Sequence, residues 1–142
     1  MSEFTQPLTV TKVIEPKEKK FLWIKYRGKK QYWIVERAFR YYVGEEDSTD
    51  FVDIPKKFKT DFASIPRIFW SVFPPDGIYT QAAVLHDFLC THPGGRTQKE
   101  IDLIFLEGME VLGVATWRRQ TVFNSVRVYQ MIKAARRGKS YG

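Results

Sequence analysis

The hydrophobic pattern divides the chain into a strand-forming part and a helix-forming part. Up to about residue 59, short runs rich in aromatic and β-branched residues alternate with polar turn sequences, a pattern typical of antiparallel strands. We predict a hairpin of strands Phe21–Tyr26 and Gln31–Val35 around a turn at 27–30, and further strands at Ala38–Val43 and Phe51–Ile54.

From residue 60 the apolar period becomes helical. Residues 60–77 predict a loop with a short helical turn near 68–72, and three helices follow at about 78–90, 98–112 and 116–136. Thr97 and Glu100 form a capping box before the second helix, and Gly113 ends it. We therefore predict one α+β domain over residues 1–142, in which a small N-terminal antiparallel β-sheet packs with a C-terminal three-helix half.

Charge adds a possible class of partner to this picture. The 142 residues contain 23 Lys and Arg against 16 Asp and Glu, a net charge of +7, and the basic residues form clusters. Such clusters favour phosphate-rich partners, namely nucleic acid, an anionic membrane surface or an acidic protein, although a basic surface that only aids solubility is the alternative. Cys90 is the single cysteine, so no intrachain disulfide forms. We expect no transmembrane segment and no signal peptide.

Two titratable residues lie on the apolar sides of the first two predicted helices. His86 is flanked at helical spacing by the apolar residues Ala82 and Leu89. Asp102 is followed at helical spacing by the apolar residues Phe105 and Met109. A buried carboxylate needs a partner, so we predict that His86 and Asp102 pair across two packed helices. An Asp-oriented His is the arrangement of a general base, and a purely structural core pair is the alternative.

Asp61 and Asp87 are candidate metal ligands. Adjacent helical positions are about 100° apart, so Asp87 turns away from the side that carries His86 and toward the loop of Asp61. Two carboxylates with loop carbonyls suit Ca²⁺ or Mg²⁺. The alternative is that Asp87 is an exposed helix residue and Asp61 caps the loop.

A basic and aromatic surface is the third candidate site. We assign Arg67, Trp70, Arg96 and Arg127 to it, because aromatic rings beside cations suit a lipid headgroup zone or a protein interface. Nucleic acid is another possible partner, but no recognised nucleic-acid motif is present.

The segment from about residue 60 to 109 resembles the helical pair of secreted phospholipase A2, in its bacterial and fungal branch. The resemblance rests on His86-Asp87-Phe88 and on Ile101-Asp102 with Phe105 and Met109. It implies that His86 activates water, that Asp102 orients His86, and that Asp61 and Asp87 hold Ca²⁺ for hydrolysis of a phospholipid ester. The chain departs from that family in lacking its paired cysteines and in having Phe62-Ala63 where Gly-Cys is expected.

The whole chain resembles domain of unknown function 1353, found in bacteriophages, prophages and bacteria. The matching motifs are Thr60–Arg67, Phe69–Pro75, Ala82–Asp87, Asp102, Phe105 and Met109. This resemblance implies a phage-associated protein located in the host cytoplasm or incorporated in the virion, and it implies no activity.

Two functions from different classes remain open at this point. One is metal-assisted hydrolysis of an ester in a lipid or another envelope component, by His86 and Asp102. The other is a non-enzymatic virion, tail or assembly protein that binds neighbouring subunits. Solvent access to His86 distinguishes the two functions, because a catalyst needs the imidazole in an open cleft, whereas a structural role allows it to be buried.

Overall fold

The computed structural model describes residues 3–21, 24–45, 47–61 and 79–138 of the chain. In these stretches a strand-rich part precedes three helices, which confirms the predicted α+β class. The strands are β1 (Glu3–Phe4), β2 (Val10–Phe21), β3 (Ile24–Val35), β4 (Phe39–Tyr42), β5 (Phe51–Ile54) and β6 (Lys59–Thr60). The helices are α1 (Thr80–Thr91), α2 (Gln98–Val111) and α3 (Thr116–Arg136).

The described strands form two antiparallel sheets of three strands each, in the orders β1-β4-β5 and β2-β3-β6. Alternation along β5 buries Val52 and Ile54 and exposes Phe51 and Asp53. In β4, Phe39 and Tyr41 are buried in the same way. Each of these strands therefore presents one apolar side to the helices.

The predicted hairpin turn at residues 27–30 is wrong. Strands β2 and β3 pair continuously from Val10 opposite Val35 to Phe21 opposite Ile24, and Gly28 lies inside the ladder opposite Lys17. A long ladder of paired backbone groups outweighs the local turn preference of a Gly-Lys sequence. The strands β1, most of β2 and β6 were not predicted, and the predicted helical turn at 68–72 lies outside the described residues.

The three helices lie where the sequence predicts them. The Thr97 side chain accepts a hydrogen bond from the Glu100 backbone N–H at 3.1 Å, so the predicted cap of α2 is confirmed. Gly113 follows α2 with φ of +81°, a left-handed conformation that glycine adopts without strain. Within the described part of the chain, no helix is both long and apolar enough to cross a membrane.

Helix α1 is the central element of the helical half, since nine of its 12 residues are buried. Its side chains join one core with residues from the strands and from α2 and α3, among them Tyr41, Ile54, Phe105 and Val126. Gly108 allows α2 to approach α1 closely, because a Cβ there would lie 3.3 Å from Cβ of Ala82. This close packing forces the polar residues of α1 and α2 to find partners inside the protein.

Candidate functional site

His86 of α1 and Asp102 of α2 lie side by side in the core. His86 Nε2 is 2.7 Å from Asp102 Oδ1, and both side chains are 0% exposed. The predicted pairing of the two residues is therefore confirmed, whereas the catalytic role assigned to them stays a prediction.

Asp102 is the centre of a larger polar cluster. Its Oδ1 also accepts a hydrogen bond from Gln98 Nε2 at 2.8 Å, and its Oδ2 accepts one from Arg127 Nη1 at 2.9 Å. The partners come from all three helices, so one carboxylate links α1, α2 and α3. We call His86, Gln98, Asp102 and Arg127 the polar cluster.

The surroundings of His86 favour its charged form. Burial is the largest single effect and lowers the pKa of His86. The hydrogen bond with Asp102 and the nearby Cys90 thiol together raise it by more, and the resulting pKa is about 9. The Cys90 sulfur lies 3.9 Å from Nδ1 and 3.8 Å from Nε2, and the ring packs against Phe105 with centroids 4.7 Å apart. At neutral pH the imidazole is therefore an imidazolium facing a carboxylate.

This state limits the chemistry available to His86. A general base needs a free ring nitrogen lone pair within hydrogen-bond reach of the proton it removes. An imidazolium has no such lone pair, and a fully buried ring is out of reach of a substrate in this conformation. The polar cluster is well arranged to hold three helices together and poorly arranged to accept a proton.

Asp61 and Asp87, the predicted metal ligands, line the same cleft, which has a volume of about 490 Å³. Asp87 is 9% exposed and accepts a hydrogen bond from the Thr60 hydroxyl, while Asp61 is exposed. Among the described residues, no group of three or more His, Cys, Asp or Glu side chains is placed to hold a metal ion. Basic side chains also line this cleft, which disfavours a cation, and the Ca²⁺ assignment stays a prediction.

Of the four residues assigned to a basic and aromatic surface, the structure describes only Arg96 and Arg127, so this assignment stays a prediction. Arg127 belongs to the polar cluster, with its side chain 20% exposed. Arg96 pairs with Asp50, which ties the α1–α2 loop to the loop after β4. Arg67 and Trp70 lie outside the described residues.

Three roles were missed by the sequence analysis. Gln98 lies one helical turn before Asp102, so the hydrogen bond between the two side chains could have been predicted from their spacing alone. Gln130 continues the four-residue spacing of Val122 and Val126, which marks the buried side of α3. No comparable signal points to the pairing of Arg127 with Asp102, because a lone Arg on an amphipathic helix usually faces water.

Comparisons with known proteins agree with the motifs of the helical half. The profile of the family described as "Protein of unknown function (DUF1353)" matches residues 33–126, which is more than half of the chain and includes every residue of the polar cluster except Arg127. An uncharacterized protein of Sinorhizobium fredii (strain NBRC 101917 / NGR234), y4jT, is 35% identical over 78 residues, or 54% of the chain.

The chain spans only 23% of the length of y4jT. No solved structure matches the chain. These findings give no support to the local resemblance to phospholipase A2. Because the family profile covers the strands β4 to β6 and most of the helical half, this chain belongs to the DUF1353 family of proteins of unknown function.

Proposed function

We propose that this chain is a non-enzymatic assembly protein that binds an acidic region of a neighbouring protein through the outward side of α3. The observation that carries the proposal is a group of large apolar side chains on α3 that face water. The sealed polar cluster supports it as well, because the best candidate for catalysis has no access to a substrate.

Helix α3 is attached to the core by a narrow stripe. Of its 21 residues, only Val122, Val126 and Gln130 are buried. At about 100° per residue these three positions occupy one sector of the helix, and the opposite sector faces away from the protein.

Four large apolar side chains lie in the outward sector, with exposed polar residues such as Asn124 between them. The exposed fractions of the four side chains are 62% for Trp117, 55% for Val128, 51% for Met131 and 47% for Ile132. They span about 100° of the helix circumference. Single exposed apolar residues are ordinary, but several aligned on one helix side, including a Trp and a Met, are typical of a protein interface. We call these four residues the α3 patch.

Charge selects the kind of partner. Helix α3 contains five basic residues and no acidic ones. Arg118 and Arg136 lie about 100° from Trp117 on one flank of the α3 patch, and the Arg118 guanidinium lies 5.2 Å from the Trp117 ring. Two copies of this helix packed together would bring like charges close, whereas an apolar site rimmed by Asp or Glu would pair with them. The favoured partner is therefore a different, acidic protein segment.

Ester hydrolysis is the second candidate function, and the 2.7 Å contact between His86 and Asp102 is the observation in its favour. It requires a conformation that opens the cluster to substrate and a neutral His86, and the raised pKa opposes the second requirement. The association with phages or virions, and the lipid or envelope substrate, rest on resemblance and stay predictions.

Site-specific crosslinking tests the binding proposal. A photo-crosslinking amino acid is placed at Val128, in the α3 patch, or at Glu110, an exposed position of α2 used as the matched control. Crosslinking is performed in the natural source cells, and the captured protein is then purified. We expect one defined product from position 128 and none from position 110.

The purified partner then allows a quantitative measurement. Trp117→Ala is expected to weaken its affinity by at least about thirtyfold, the effect of removing an aromatic side chain that is buried in an interface, while Lys99→Ala leaves the affinity within about twofold. Crosslinking to a second copy of the chain or to DNA, or equal affinities of the two variants, would overturn the proposal.

A further inference from the structure

The cleft that contains Asp87 is a second feature, separate from the α3 patch. It lies where the edge of β3 and β6 meets the C-terminal halves of α1 and α3. Its volume of about 490 Å³ is in the range of sites for small ligands. The aromatic rings of Tyr32 and Phe58 form part of its wall.

Gln130 is the most informative residue of this cleft. It is 7% exposed, and its amide nitrogen has no hydrogen-bond partner among the residues that the structure describes. Buried polar groups almost always have a partner, so an unpaired donor in the wall of a cleft is a suitable contact for an acceptor oxygen of a ligand. If this side chain only filled space in the core, an apolar residue of the same size would stabilise the protein more, because it would leave no buried donor unpaired.

Basic side chains surround this donor. Lys133 and Arg137 follow Gln130 at spacings of three and seven residues, so the three share one side of α3, and Lys59 reaches the cleft from β6. In the described part of the chain, no carboxylate lies within ion-pair distance of these three cations. The Lys59 ammonium is instead placed 3.8 Å from the centroid of the Tyr32 ring.

Two acidic residues also line the cleft. Asp87 accepts a hydrogen bond from Thr60, and Asp61 is exposed. The three cations outnumber these two carboxylates, so the net charge of the lining still favours an anion, and the carboxylate oxygens can accept hydrogen bonds from hydroxyl groups of a ligand.

We propose that this cleft binds the phosphate group of a small organic phosphate monoester. A phosphate monoester carries a charge of about −1.5 to −2 at neutral pH and three acceptor oxygens, which fits three cations and one amide donor better than a carboxylate does. The cleft is much larger than a phosphate group, and its aromatic wall and acidic edge are suited to an organic part that carries hydroxyl groups.

Protection of Cys90 provides a direct assay. Cys90 is the only cysteine of the chain, it is partly exposed and it lines the cleft. The full chain is alkylated with a thiol reagent in the presence of AMP, glycerol 3-phosphate, inorganic phosphate or vesicles that contain phosphatidic acid. The affinity for each of these probes is measured separately by calorimetry. We expect the soluble esters to slow alkylation and to bind more tightly than inorganic phosphate.

Matched variants localise the binding. Lys133→Ala and Arg137→Ala should each weaken binding by about tenfold or more, because each removes a charged contact with the phosphate. Arg136→Ala makes the same change in charge at a residue outside the cleft lining and should change affinity by less than about twofold. Binding by vesicles alone, lost in Lys133→Ala, would uphold the phosphate site and assign it to a lipid headgroup. No protection by any probe, or equal weakening in all three variants, would overturn the proposal.

Gln130→Met separates the ligand contact from folding. Methionine has a similar length and no donor, so the variant should melt at the same temperature as the wild type or higher when no ligand is present. With AMP present, the wild type should gain stability and the variant should gain clearly less. A variant that keeps the full AMP-induced rise in melting temperature would contradict the role assigned to Gln130.

Discussion

Asp102→Asn removes one negative charge from the interior while it keeps the size and shape of the side chain. In the wild type this carboxylate lies between the imidazolium of His86 at 2.7 Å and the guanidinium of Arg127 at 2.9 Å. The variant leaves both cations facing a neutral amide. We expect it to be strongly destabilised, since uncompensated buried charge is among the largest single costs in a folded protein.

The expected loss follows from the exposure of the two cations. Removing one partner of a buried ion pair costs about 3–5 kcal/mol. The Arg127 side chain is 20% exposed and can turn partly toward water, and His86 can release its proton, so the lower end of this range applies. We predict a loss of about 3 kcal/mol in the free energy of unfolding.

Urea unfolding at pH 6 measures this loss, with Asp53→Asn as the matched control. Asp53 accepts a hydrogen bond from Arg40 Nε at 2.7 Å, but its side chain is 58% exposed. The same chemical change there should cost at most about 1 kcal/mol, because water screens and replaces the lost interaction. Equal losses in the two variants, or a loss below about 1 kcal/mol for Asp102→Asn, would refute the sealed and charged description of the polar cluster.

Three further predictions concern stability. The pKa of His86 is raised from 6.5 to about 9, so protonated His86 contributes about 3 kcal/mol to the free energy of unfolding. This contribution is fully present below pH 6.5 and is lost as the pH rises through 9, and urea midpoints that do not fall over this interval would contradict it. Glu107→Gln weakens the 2.6 Å hydrogen bond from the buried Tyr41 hydroxyl and should lower the free energy of unfolding by about 1–2 kcal/mol, with no loss if the hydroxyl is satisfied by water. Thr97→Ala removes the cap of α2 and should cost about 1 kcal/mol in the same assay, whereas Thr121→Ala, at an exposed mid-helix position, should cost nothing measurable.

The helical half could be predicted from the sequence because its apolar period is regular and its caps are local. The apolar neighbours of His86 and Asp102 fix the orientation of both side chains, and two packed helices then bring them together. The same reasoning does not predict Arg127 as a third partner, because that contact depends on how α3 crosses α2 and on no local pattern.

The strand half was harder to predict because its pairing is set across the sheet. Gly28 has the local preferences of a turn residue, yet it lies opposite Lys17 in a ladder that extends to Val10 and Val35. The register of such a ladder depends on two strands at once, while turn propensity is a property of a few neighbouring residues. The sequence therefore indicated antiparallel strands and placed their turn wrongly.

Burial decided the interpretation of the candidate site. The residue types of the His86–Asp102 pair equally suit a catalytic dyad and a structural one, and only their exposed fraction separates the two. The core that buries both side chains includes residues of β4, β5 and all three helices. The sequence patterns of α1 and α2 alone therefore could not predict how completely the pair is buried.

An NMR titration of the histidine rings tests most directly whether His86 is a sealed imidazolium. The chain has two histidines, and the exposed His92 serves as the reference resonance in the same sample. We predict that the ring signals of His86 stay in the imidazolium position through neutral pH and change with a midpoint near 9. A midpoint at or below 6.5 would mean that His86 is neutral at physiological pH, which would contradict the structural role of the cluster and favour a general base.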